Sequence, residues 1–114
     1  MKNELHTPWS DVCTLIRVET AKDSQGYETE TEVPFAVACT WEDGVSQAEF
    51  YRSYKAGMQA SNSVEIWQAD MLTAWPRGTA GRRFVDFQGQ RYKVLRDFPS
   101  GFDLQTLILS EVIR

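Results

Sequence analysis

His6 is the single histidine of this 114-residue chain. General-base catalysis needs an imidazole held rigidly beside a nucleophile. His6 sits in a polar N-terminal stretch, far in sequence from either cysteine, and reads as an exposed arm residue. Cys13 and Cys39 fit neither a metal spacing nor a dense disulfide framework. They read as two buried free thiols in a reducing cytoplasm, with a Cys13–Cys39 bridge between neighbouring strands as the alternative. There is no glycine-rich phosphate loop, zinc spacing or EF-hand loop.

Carboxylates are plentiful. Glu28, Glu30 and Glu32 alternate along one strand face and read as a solvated or partner-facing acidic stripe. Asp70, Asp86 and Asp97 fall in or at the ends of strands that could be neighbours, where a divalent ion is the sharper alternative to plain solvated charge. Trp41, Trp67 and the tyrosines read as core. Trp75 is set apart by its loop position and the adjacent Pro76, which suit an interface anchor. The expectation is a non-enzymatic protein with no cofactor and no metal.

Bulk charge points the same way. Twelve basic and sixteen acidic residues leave a net charge of −4. Gripping nucleic acid by counterion release wants a clustered basic face, which this chain lacks. A surface past which DNA slides is still compatible with such a balance. An oligonucleotide-binding barrel would stack bases on strand aromatics beside basic residues. Here the aromatics fall mainly on apolar faces. No run is apolar enough for a signal peptide or long enough to span a bilayer, so no membrane partner is expected.

The elements that must position these residues are mostly strands. The length suggests one domain, with residues 1–11 as a polar N-terminal arm and 12–114 as the folded unit. Strands are expected near 12–20 and 27–42; the second shows period-two alternation, with Pro34 marking an edge or a bend. Further strands are expected near 63–72, 83–87, 90–98 and 104–113. Gln88-Gly89 reads as a hairpin turn, and Pro99-Ser-Gly101 as another. Residues 73–83 read as a loop made locally positive by Arg77, Arg82 and Arg83. Leu107, Ile108 and Leu109 are apolar on both faces, which suggests a central last strand.

One helix interrupts this pattern, over residues 45–57. Ser46 and Glu49 are spaced as a capping box. Gln47, Phe50, Tyr54, Gly57 and Met58 share one helical face. About three turns are marginal alone in water, so this helix must dock on something. The fold class expected is mainly β: a small antiparallel barrel or sandwich of about six strands with one short inserted helix.

Three segments in this order resemble the head-closure (stopper, or head–tail joining) proteins of long-tailed bacteriophages. They are Asp11-Val-Cys-Thr-Leu-Ile-Arg17 with the long Thr/Glu-rich strand after it, Gln47-Ala-Glu-Phe-Tyr51 closed by Ala56-Gly57, and Val85-Asp-Phe-Gln-Gly-Gln-Arg-Tyr-Lys-Val-Leu-Arg96. The resemblance covers nearly the whole chain after Asp11 and carries no catalytic signature. It implies a small β-barrel with an inserted helix or loop, assembled as a ring, typically dodecameric, below the portal and adaptor rings. Such a ring helps retain packaged DNA and offers a docking surface to the tail-side ring protein. It implies a virion location at the head–tail interface, reached after assembly in the host cytoplasm. Within it, the insertion at 43–62, with Ser46, Gln47, Glu49, Phe50, Tyr51, Tyr54 and Lys55, is expected on the channel side or between subunits. Trp75, Arg77, Arg82 and Arg83 are the loop contact candidates. The 73–83 loop is longer than the family pattern and carries Trp and Arg, and the N-terminal arm is polar. A tail terminator or tail-completion ring protein is the neighbouring reading, and a small β-barrel binding a peptide or oligonucleotide is the reading from another class.

Overall fold

The computed structural model describes residues 11–46, 59–79 and 81–112. Strand β1 (Asp11–Lys22) and strand β2 (Glu28–Glu42) form a long antiparallel hairpin in register from Asp11↔Cys39 to Lys22↔Glu28. Its turn is held by Asp23, whose side-chain Oδ1 accepts the backbone N–H groups of Gln25 and Tyr27. Strand β3 (Asn62–Trp67) leads directly into helix α1 (Gln68–Ala74). Strands β4 (Arg83–Phe87), β5 (Gln90–Gly101) and β6 (Leu104–Glu111) complete a closed antiparallel barrel in the order β1-β2-β3-β6-β5-β4.

Alternation explains the interior. Cys13 and Leu15 of β1, Val37 and Cys39 of β2, Val64 and Ile66 of β3, Val85 of β4, Val94 of β5, and Leu107 and Leu109 of β6 all point inward and are buried. Period-two side chains place alternate residues of the barrel portion of these strands in this core. β6 pairs with β3 on one side and β5 on the other, so it is central, as its apolar middle suggested. The Gln88-Gly89 turn has positive φ at both residues (50° and 81°), the conformation a two-residue hairpin connection with matching twist demands.

β5 does not alternate evenly. Its register with β6 shifts between Val94 and Arg96 and again between Pro99 and Gly101. The first bulge lets both Val94, opposite Leu109, and Asp97, opposite Leu107, lie on the interior side. The strand therefore runs to Gly101, and the chain reverses at Phe102-Asp103 rather than at Pro99-Ser-Gly101 as the proline had suggested.

The larger correction concerns residues 63–83. The strand expected near 63–72 ends at Trp67, and residues 68–74 are helical. The short apolar run there suits either period. Spacing decides it: Met71, Ala74 and Trp75 fall at i, i+3 and i+4 and close the end of the barrel. A seven-residue helix is marginal alone, so this packing holds it. Trp75 is accordingly core, 4% exposed, and not the surface anchor its loop-like neighbourhood suggested. Its backbone N–H donates to Met71 O (2.8 Å), and its indole Nε1–H donates to Ile16 O (2.9 Å).

Beyond Arg17, β1 has no partner in β4, and β2 meets β3 only over Thr40–Glu42. Residues 18–22 and 28–33 thus extend from the barrel as a two-stranded ribbon. Pro34 lies where the second edge of β2 carries no described strand, which is where a residue without an N–H is tolerated.

Trp75→Ala is expected to cost about 3–5 kcal/mol of unfolding free energy, and Trp75→Phe less, through the orphaned Ile16 carbonyl. Urea unfolding checks this. An unchanged midpoint for Trp75→Ala would return the residue to the surface role first expected of it.

Candidate functional site

Two regions gather polar and aromatic groups at the margins of the core. The first is the end of the barrel from which residues 47–58 leave and to which they return. There Trp41 stacks on Phe87 (ring centroids 4.0 Å, interplanar angle 13°) and meets Tyr92 edge-on at 4.9 Å. Trp41 Nε1–H donates to Asp43 Oδ1 (3.2 Å). Asn62 Nδ2 reaches Glu42 O (3.4 Å) and Asp43 Oδ1 (3.5 Å), clasping the departing and returning chain together. Ser61 fixes the return to β6: its N–H donates to Leu109 O, and its hydroxyl accepts the Glu111 N–H. The base of the insertion is therefore a rigid aromatic platform.

Tyr92 is half-buried in this platform. Desolvation, and then the carboxylates of Glu111 and Asp43, push its phenol above the ordinary range. Deeper in the same half of the barrel, Cys13 and Cys39 are both free and buried, which agrees with the reading of two reduced thiols. The Cys13 thiol is hydrogen-bonded to Cys39, and this contact together with burial raises it well above the usual thiol range.

The second region is the outer face of the β1–β4–β5 seam. Phe84 of β4 lies opposite Ile16 of β1, which is buried although it faces outward. Two guanidinium groups stack on the Phe84 ring, Arg91 at 5.3 Å and Arg82 at 5.8 Å from its centroid. Each then reaches the ribbon. Arg82 contacts both carboxylate oxygens of Glu30 (2.9 and 2.8 Å). Arg91 contacts both oxygens of Glu32 (2.6 and 3.0 Å) and both of Asp86 (2.8 and 3.0 Å). These hydrogen bonds hold Arg91 firmly in its charged form, Asp86 contributing most and Glu32 next. The ribbon is latched to the barrel by two forked ion pairs.

The expected site residues separate on this framework. Ser46 is exposed at the edge of the insertion, whereas Gln47, Glu49, Phe50, Tyr51, Tyr54 and Lys55, with the proposed capping box and aromatic stripe, lie outside the described residues. Trp75 is core. Arg77 is exposed on the short turn after α1. Arg82 is exposed but committed to Glu30, and Arg83 belongs to β4, where it pairs with Asp97 (2.9 Å) and stacks on Trp75 (5.3 Å). Arg82 and Arg83 thus become structural cations, because each finds a carboxylate and an aromatic face within reach. The acidic stripe is likewise not wholly free: Glu30 and Glu32 are neutralised by these arginines. Asp70, Asp86 and Asp97 diverge, Asp86 to Arg91 and Asp97 to Arg83 and Gln105, with Asp70 on α1. Among the described residues no group of three or more potential ligands gathers. Sequence reasoning missed Arg91 and Asn62; the only signal for Arg91 was its place just after the Gln88-Gly89 turn, cross-strand from Asp86.

No protein-family model matches this sequence, and no curated protein matches it.

Two outcomes follow. Arg91→Ala should cost about 1–3 kcal/mol and speed amide exchange in residues 18–22 and 28–33, whereas Arg82→Ala should cost under about 1 kcal/mol. Equal effects would mean that Arg91 is no latch. For Tyr92, the raised folded value means its stabilisation is intact below the unfolded tyrosine value near 10 and is lost as pH rises through the folded value. Tyr92→Phe should therefore flatten the alkaline decline of the urea midpoint above about pH 10.

Proposed function

We propose that this chain is a virion structural protein of a phage head–tail junction. It would act as a ring below the portal and adaptor rings, helping retain packaged DNA and offering a docking surface to the tail-side ring. The observation that carries the reading is an order of parts. A closed six-strand barrel carries an insertion between β2 and β3, and that insertion begins with the Ser46-Gln-Ala-Glu-Phe-Tyr51 sequence. The resemblance to head-closure proteins rests on the same parts in the same order.

The physical chemistry supports the reading. Asn62, Asp43 and Ser61 hold both stems of the insertion at one end of the barrel, a geometry suited to presenting a segment to a channel or a neighbouring subunit. The arginines of the outer face are paired with carboxylates, so they leave little free cation to trap a passing duplex. A ring is built from head-to-tail contacts that close.

The test is electron microscopy of joined particles together with sedimentation of filled, tail-less heads. The expected result is that the chain co-sediments with the heads and forms a ring of density beneath the portal. Its absence from both, or its presence only on free tails, overturns the proposal; the second outcome selects the tail-terminator reading.

A further inference from the structure

The outer face of β4 and β5 gathers three cations around one aromatic ring. Phe84 is paired with Lys93 and Asp86 with Arg91, two rungs apart, so all four side chains share one face of the sheet. Arg82, just before β4, and Arg91 both stack on the Phe84 ring. Lys93 is exposed and has no ion pair among the described residues.

The ribbon supplies the anions that cover this face. Glu30 and Glu32 alternate on one side of β2, opposite Thr20 and Val18. Their Cα atoms are roughly 6.6 Å apart by strand geometry. Glu30 takes the Arg82 guanidinium with both oxygens, and Glu32 takes that of Arg91 with both. Asp86 holds Arg91 separately, from within the barrel, so this guanidinium keeps its place without the ribbon. Among the described strands, residues 18–22 and 28–33 pair only with one another. The Arg82–Glu30 pair is exposed at both ends, 54% and 56%, where an ion pair is worth little.

With the ribbon in place, three cations meet three carboxylates and the face is near neutral. Without Glu30 and Glu32, Asp86 alone remains and the face is cationic. A guanidinium fork matches phosphate oxygens as well as carboxylate ones. A lone phosphate meets one fork. A nucleic-acid strand offers phosphates in series, at a spacing close to that of Glu30 and Glu32.

We propose that this face is a binding site for a nucleic-acid backbone and that the ribbon is its autoinhibitory cover, with Glu30 and Glu32 in the places of two consecutive phosphates. Strand phosphates displace the two carboxylates from Arg82 and Arg91 and gain Lys93. The Phe84 ring carries the two guanidinium groups and stacks no base, so the site takes backbone and not sequence. The covered face is the near-neutral surface that the head–tail reading uses. The site itself stands independently of that reading.

The test titrates the intact chain with a short fluorescein-labelled oligothymidylate, following anisotropy, and follows amide exchange in the ribbon by NMR. The expected result is weak binding by the unsubstituted chain and binding about tenfold tighter, or more, by Glu30→Gln with Glu32→Gln. In that variant the log–log salt slope should be about −2, as three phosphate contacts to a single strand give. Glu42→Gln with Glu65→Gln removes the same charge elsewhere and should tighten binding less than about twofold. Adding Arg82→Ala and Lys93→Ala to the Glu30, Glu32 variant should remove its gain. Saturating the unsubstituted chain should speed exchange in residues 18–22 and 28–33. Equal tightening by the two charge pairs would mean diffuse repulsion by an acidic chain and would overturn the site. So would a gain that survives Arg82→Ala with Lys93→Ala, or ribbon exchange left unchanged at saturation. Displacement of the oligothymidylate by inorganic triphosphate at equal phosphate concentration would assign the face to free phosphates, and would equally overturn it.

Discussion

The barrel depends on a short seam that places two like charges face to face. β1 and β4 meet over four rungs, from Thr14↔Asp86 to Arg17↔Arg83, and the last sets two arginines directly opposite. Like charges at such positions are destabilising. The seam holds because each guanidinium is drawn elsewhere. Arg17 binds Glu19, donates to Ala74 O and lies over Phe35; Arg83 binds Asp97 and lies over Trp75. The Ala74 carbonyl at the end of α1 and the Trp75 ring after it tie the seam to the seated helix. Barrel closure, helix docking and the inward turn of Asp97 at the β5 bulge share the same two arginines.

That arrangement divides the molecule into two ends with different tasks. At one end the helix, Trp75 and the paired arginines seal the core, and the ribbon is latched across the outer face by Arg82 and Arg91. At the other, no helix closes the barrel among the described residues. Its interior there is finished by the Trp41–Phe87–Tyr92 stack, and the insertion departs from that stack. A barrel needs few inward side chains to fill it, so each end can be finished differently without disturbing the strands.

Much of the fold was legible in the sequence. The alternation of Val33, Phe35, Val37, Cys39 and Trp41 marked β2 and its inner face, because a strand with one buried side must alternate. Gln88-Gly89 marked its hairpin, since glycine admits the required positive φ. Leu107-Ile-Leu109 marked the central strand. Residues 68–75 were misread because a run of seven or eight mixed residues does not distinguish period two from period 3.6. The helix exists by contacts with β1, β2, β3 and β6, and no window of sequence contains those.

The sequence by itself determined which residues alternate, where the chain turns, and that both thiols could be buried together. Only the tertiary structure decided what the charges do. Arg91 reaches Glu32 across a separation of 59 residues, Arg82 reaches Glu30 across 52, and Arg17 reaches Ala74 O across 57. An ion pair is set by distance in space, and spacing along the chain says nothing of it until the barrel closes. Arg82 and Arg83, which looked like parts of a contact loop, therefore became fastenings of the fold to itself.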